Sequence, residues 1–343
     1  MSHGNHDAEI AARVYRGQAA EAVHYASIAV VDGTGSVTHS LGDPELVTMA
    51  RSSIKPFQLL PLLTSGAADH FGFTPKQLAI MCGSHNGSDE HREVVLSNLV
   101  AAGNTAEHLR CGSHWPIGMQ EATVFPYAGE EKDPLRHNCS GKHSGFLALA
   151  RYLGEAPADY LNPNSRTQRM VRGAVAHALE YPESAMITAV DGCSAPNFSI
   201  SVRSLAVGFM RLATLRYDDP ETAAAARRVR DAMWSYPEMV SGEGRFDLAL
   251  ARSFSHNVVC KAGAESIQGL GFADPPLGIA VKILDGNWRA MGAIVVDILK
   301  QLGLIDSLER LPELQRWERP VVRNNRDIIT GYIVSECALR RRP

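Results

Sequence analysis

Ser52-Ser53-Ile54-Lys55 places a hydroxyl three positions ahead of an amine. In the first turn of a helix, residues i and i+3 share a face, so Ser52 and Lys55 can meet there. A serine alcohol is a weak nucleophile at neutral pH and needs a base. A lysine can serve when burial or a second cation lowers its pKa. Ser-x-x-Lys is therefore the minimal wiring of an acyl-transfer site that has no catalytic histidine. Serine also favours helix starts for purely structural reasons, so the spacing alone fits a plain turn as well.

Three further segments carry chemistry. Cys82-Gly83-Ser84-His85-Asn86-Gly87 is a small-residue turn in which Ser84 offers a second hydroxyl and Asn86 an amide that could hold an amine or a carbonyl. It reads equally as a connection capped by Ser88. His137-Asn138-Cys139-Ser140-Gly141-Lys142-His143 and Asp191-Gly192-Cys193-Ser194-Ala195-Pro196-Asn197 are two Gly- and Ser-rich loops, each bearing a thiol. Cys139 with Lys142 or His143, joined by Cys193 and Asp191, could bind a thiophilic ion such as zinc, although the spacing is not that of a zinc finger or ribbon. Two other readings stay open: Cys139 as a nucleophile beside His143, and small thiols buried in tight turns. Lastly, Lys282 interrupts the apolar run Ile279–Leu284. It either faces solvent or, facing a cleft, adds a second cation that depresses the Lys55 pKa and can pair with Ser84.

The elements that must position these residues follow from periodicity and turn chemistry. Ala26–Asp32 and Ser36–Leu41 read as a hairpin around Gly33-Thr34-Gly35, with a helix starting near Ser52 and running on to Leu63. Thr74 caps a helix with Pro75 at its first position. Further helices are expected over 89–102, 144–152, 165–179, 201–215, 221–234 and 287–302. Strands are expected over 185–190, 257–261, 266–270, 278–284, 320–322 and 328–334. Strands at both ends with helices between them predict an α+β fold. A mixed or antiparallel sheet would gather both termini and pack against a helical lobe, with the cleft between the two. We expect one catalytic unit over 1–343, with a sheet lobe of 23–50 and 255–340 and a mainly helical lobe of 51–250.

Composition narrows the function class. The chain of 343 residues is 45% hydrophobic and 21% charged, with a net charge of −3. Nothing there favours nucleic acid, and the longest basic run is Arg340-Arg341-Arg342. No stretch reaches the roughly 18–20 apolar residues of a membrane span. The polar Met1–Asp7 lacks the layout of a secretory signal, so a cytoplasmic location is expected. Six scattered cysteines with no CxxC pair read as free thiols or metal ligands rather than a disulfide framework.

Taken in order, Arg51–Gln58, Ser84-His85-Asn86-Gly87, Cys111-Gly112-Ser113-His114-Trp115-Pro116, Asn138–His143, Asp191–Pro196 and Gly278–Lys282 resemble the rhizobial-type (thermolabile, class 3) L-asparaginases. The resemblance runs from about Val23 to Val334. It implies a fold similar to the serine β-lactamases and glutaminases, and hydrolysis of L-asparagine to L-aspartate and ammonia. By that resemblance Ser52 is the nucleophile and Lys55 its base, with Ser84 and Lys282 a second Ser-Lys couple. Cys139, Lys142 and Cys193 are the small site that can hold zinc, supported by Asp191 and His143. Asp191 is expected to meet the substrate ammonium and His85 or Arg51 its carboxylate, and the family suggests a homodimer. Only 32 residues separate Ser52 from Ser84, and Lys282 is followed by Ile-Leu rather than Thr-Gly, which argues against penicillin-directed activity. A glutaminase or broader acyl-serine amidohydrolase, and a sensor that binds asparagine without turnover, are the competing readings.

Overall fold

The computed structural model describes residues 8–120, 123–125 and 129–342. The reading of the polar Met1–Asp7 segment falls outside them. Twelve strands are found among the described residues: β1 (Glu9–Arg16), β2 (Ala19–Asp32), β3 (Val37–Leu41), β4 (Val47–Met49), β5 (Thr188–Val190), β6 (Pro196–Ser201), β7 (Val258–Gly263), β8 (Ile267–Phe272), β9 (Leu277–Ile283), β10 (Val321–Arg323), β11 (Ile329–Ser335) and β12 (Arg340–Arg341). Nine form one sheet in the order β10-β11-β1-β2-β9-β8-β7, with β3 and β12 extending it beside the second half of β2. Every pairing is antiparallel. The other three strands make a small sheet, β4-β6-β5. The expected α+β fold, with both chain ends in one antiparallel sheet, is what the chain forms.

β2 explains the layering. From Ala26 to Val31 each residue is buried, with no polar alternation, the pattern of a strand covered on both faces. Ala29 and Val31 join the larger core with Phe57 and Phe209. Ile28 and Val30 join a second core with Leu250, Ile294 and Ile298. A single helical lobe therefore accounts for one face only; helices Phe246–Ser253, Met291–Gln301 and Pro312–Glu318 cover the other. On the larger face the Val202–Thr214 helix lies close against the sheet. At Gly271 and Gly278 a Cβ would sit on the Phe209 and Ala206 carbonyls, so only glycine admits that approach.

The helix expected from Ser52 to Leu63 is broken into a 3₁₀ turn, Arg51–Ile54, and two short helices, Lys55–Gln58 and Leu60–Thr64. Pro56 and Pro61 each remove a backbone donor and an i→i−4 bond, which is why the run does not continue as one helix. The Thr74 cap is present, with its Gln77 partner completing a capping box. Strand β1, strand β6 and helix Phe246–Ser253 had no expectation attached to them. The Ser140–Tyr152 helix starts four residues earlier than its apolar periodicity indicates, because its first turn, though polar, is buried along with the rest.

Candidate active site

Ser52 lies on the turn that leaves β4. The Ala50 N–H donates to the Phe198 carbonyl of β6 at 3.0 Å, so the small sheet holds the chain up to the residue before Arg51. Arg51 then adopts φ 51°, a left-handed conformation that costs a non-glycine residue on the order of 1–3 kcal/mol and persists only where its surroundings enforce it. The Arg51 N–H donates to Asn197 Oδ1 at 3.0 Å. Arg51 Nε donates to Asp191 Oδ1 at 2.9 Å, and Asn197 Nδ2 donates to Asp191 Oδ2 at 2.8 Å. From the other side comes the end of β7, the edge strand of the large sheet. A Cβ on Gly263 would meet Ser53 N at 2.8 Å, so glycine lets the edge strand touch the turn. Ser52 is half-buried, and Lys55, one turn on, is buried.

The Lys55 amine does not hydrogen-bond to Ser52. It donates to the Gly83 carbonyl at 2.5 Å and to Ser84 Oγ at 2.9 Å. The Ser84 loop is fixed by its own N–H, which donates to the Val240 carbonyl at 2.8 Å. The second lysine near this pair is Lys261 on β7, fully buried, with Asp247 Oδ2 3.8 Å from its nitrogen. Burial, reinforced by the Lys55 charge and opposed by Asp247, lowers the Lys261 pKa to about 8. Lys282 takes a different place. Its Nζ donates to the Glu265 and Ile283 carbonyls, fastening the β7–β8 turn, and Ser84 has Lys55 as its amine partner instead. The expected Ser84–Lys282 couple is absent for a simple reason: alternate residues of β9 face opposite sides, and a long side chain near the strand end reaches the nearest carbonyls first.

Lys261 was given no role from sequence, where it only ended the expected strand 257–261. The available signal was Lys261-Ala262-Gly263, a lysine followed by a small residue and a glycine, the layout of the Lys-Thr-Gly strand that accompanies Ser-x-x-Lys and Ser-x-Asn in serine acyl-transfer sites.

The two thiol loops do converge. Cys139 and Cys193 are buried, and Cys193 lies 3.2 Å from Lys142 Nζ. A hydrogen bond from Cys139 lowers the Cys193 pKa, with Lys142 and His143 adding to it against burial. The same bond, together with burial, raises that of Cys139. Tyr160 accepts from the Arg110 N–H at 2.8 Å and stands 2.7 Å from His143 Nδ1, an arrangement that directs its own proton to Nδ1. Among the described residues no three His, Cys, Asp or Glu side chains are grouped as a metal site. The donors that do meet are two sulfurs and the Lys142 amine; a thiophilic ion there would require Cys139 and Lys142, both with raised pKa values, to give up protons.

His85 and Asn86 support the site from beneath. His85 is fully buried beside Ser140 Oγ at 3.0 Å and stacked on His91. Burial, then His91, holds its pKa well below the ordinary value. A neutral, enclosed imidazole cannot serve as the cation for a substrate carboxylate, so of the two candidates only Arg51 remains. Asn86 Nδ2 donates to Thr123 Oγ1 at 3.1 Å and the Glu243 carbonyl at 2.8 Å, bracing the loop. Asp191 and Arg51, expected to grip the two ends of a zwitterion, grip each other.

Lys55, Lys261 and Ser84 are thus buried close to the half-buried Ser52 within an α+β fold. The sequence model of the L-asparaginase II family matches residues 12–335, and the chain belongs to that family, which makes it an amidohydrolase by class. No curated protein matches the chain. Solved structures similar to it include a β-lactamase from Mycobacterium bovis (16% identity, covering 80% of this chain and 94% of that one, TM-score 0.41). Others are a putative β-lactamase from Bacteroides dorei (10%, 80% and 93%, 0.43) and Mglu in its native form (18%, 82% and 66%, 0.38). Similarity at that level says nothing about substrate.

Proposed function

We propose that this chain hydrolyses the side-chain amide of L-asparagine through a Ser52 acyl-enzyme. The observation that carries the reading is the family match over residues 12–335; the contact of Lys55 with Ser84, one turn from Ser52, is what suggests the residues. In the first step Ser52 Oγ bonds to the amide carbon, and its proton passes to the lysine-bound network of Lys55 and Ser84. Collapse of the tetrahedral species breaks the C–N bond, and the same proton leaves with ammonia. Water then cleaves the ester, releasing L-aspartate and restoring the Ser52 hydroxyl. Lys261 supports this cycle as a buried amine free in about a tenth of molecules at pH 7, from its pKa of about 8. Backbone N–H groups of the turn would meet the oxyanion.

Ammonia release from L-asparagine, with Ser52→Ala alongside, tests the reaction. Loss of about three orders of magnitude or more in kcat, with an unchanged melting curve, is expected. Persistence of turnover in Ser52→Ala would pass the nucleophile role to Ser84, whose hydroxyl has the shorter path to the Lys55 amine. Glutamine serves as the comparison substrate, since one methylene gives only about 10–200-fold selectivity.

Zinc, held by Cys139, Cys193 and the Lys142 amine, would supply a Lewis-acid charge beside this site. Elemental analysis of protein purified without chelator should find it, and a Cys139→Ala/Cys193→Ala variant should not retain it. Metal absent from both refutes the assignment.

A further inference from the structure

Asn197 is not among the residues that the chemistry calls for, yet it touches both things that define the Ser52 turn. It sits on β6 at 3% exposure. Its Oδ1 accepts the Arg51 N–H at 3.0 Å and also its neighbour's, Phe198 N–H, at 2.8 Å. Its Nδ2 donates to Asp191 Oδ2 at 2.8 Å, and Asp191 in turn holds the Arg51 side chain. The backbone and the side chain of Arg51 are thus gripped from one residue, and Arg51 is the residue held in the left-handed region, at φ 51°. The dihedral angles of Arg51 set the direction in which the chain enters Ser52.

We propose that Asn197 is a positioning residue: its amide clamps Arg51 in the left-handed conformation and so fixes the placement of the Ser52 hydroxyl relative to Lys55 and Ser84. The inference rests on Ser52 being the nucleophile. Asparagine fits the task because one planar group offers an acceptor to a backbone N–H and a donor to a carboxylate at once. Without the clamp Arg51 relaxes toward the right-handed region, the turn swings, and the Ser52 oxygen moves; displacements of about 1 Å in a reacting group cost on the order of 100-fold in rate.

The test pairs Asn197→Ala with Asn197→Asp. The aspartate keeps the oxygen that accepts the Arg51 N–H and loses the donor toward Asp191. Two readouts are taken on the full chain. One is kcat and KM for L-asparagine; the other is the rate at which a fluorophosphonate probe labels Ser52, located by peptide mapping. For Asn197→Ala, kcat and the labelling rate should both fall about 100-fold, the labelling rate reporting the placement of Ser52 without any substrate contact to Arg51 or Asp191. Asn197→Asp, compared with wild type at the low-pH end where its carboxyl and that of Asp191 can share one proton instead of repelling, should lie within about tenfold, because the bond to Arg51 survives. An alanine variant equal to wild type overturns the clamp. So does equal impairment of the two variants, which would mean a general loss of structure rather than loss of the Arg51 bond. Should Asn197→Ala not fold, Asn197→Ser takes its place, its hydroxyl being too short to span to the Arg51 N–H. Wild-type protein that neither releases ammonia nor takes the probe at Ser52 overturns the nucleophile reading itself, and with it this inference. Wild type that does both beside an unaffected Asn197→Ala overturns the clamp alone.

Discussion

At the scale of single residues, the site is governed by what burial does to amines, thiols and imidazoles. Lys261 is the clearest case, because its pKa of about 8 lies below the roughly 10.4 of an exposed lysine in the unfolded chain. Between those two values the unfolded state binds more protons, so stability contributed through Lys261 rises with pH there. The cost of burying the charge is fully present below pH 8 and is relieved as pH climbs toward 10.4. The buried thiols act in the opposite direction: Cys82 and Cys111 are pushed up to about 12 and stay protonated when folded. The contribution must therefore be read as a difference. Denaturant titrations of wild type and Lys261→Met, run from pH 7 to 10.5, should show wild-type stability gaining on the variant between pH 8 and 10.4. A difference that stays flat would mean the Lys261 amine is not depressed. In the same way kcat/KM of the wild type should rise through about pH 8.

At the scale of elements, the site depends on short contacts made by small residues. The Ser140–Tyr152 helix carries Lys142 and His143 in a first turn that is wholly buried. It reaches that depth because Gly141 lets it touch the Pro75–Met81 helix; a Cβ there would sit on the Ile80 carbonyl. Gly141→Ala should therefore cost about 1–3 kcal/mol of stability by overpacking, read as a lower denaturation midpoint. Because the same displacement moves Lys142 away from Cys193, the accessibility of Cys193 to a thiol reagent should increase in that variant. A midpoint equal to the wild type would show that the helix pair can part without cost. Elements were legible where pattern and local chemistry agreed, as in the helix capped by Thr74 and the helical periodicity over 201–215, which the structure realises as Val202–Thr214. They were not legible where polar residues are buried, as in the first turn of Ser140–Tyr152, or where two prolines divide an apolar run.

At the scale of the whole molecule, the central strand β2 serves two cores at once: Ala29 and Val31 in the larger, Ile28 and Val30 in the other. Neither core can lose β2 and stay closed, so both should unfold together. Trp234 packs against the larger core and Trp317 against the second. Single-tryptophan variants retaining one or the other should report coincident denaturant midpoints, and separated midpoints would show two independently stable lobes. The candidate site lies where the two cores meet: β7 is an edge of the sheet between them, and its Gly263 abuts the Ser52 turn.

The sequence by itself determined the α+β class and a sheet, mixed or antiparallel, built from both termini, because periodicity and turn chemistry are local. It also singled out Ser52, Lys55, Ser84, Cys139, Lys142 and Cys193, their grouping resting in part on the resemblance of their motifs to a known family. Only the tertiary structure decided which amine serves which hydroxyl. It turned Lys282 into a turn fastener, brought in Lys261, neutralised His85 and made Asn197 the holder of Arg51. Each of these depends on the direction of a side chain from a strand and on what has already been excluded from water around it. Neither quantity exists until residues far apart in the chain have packed.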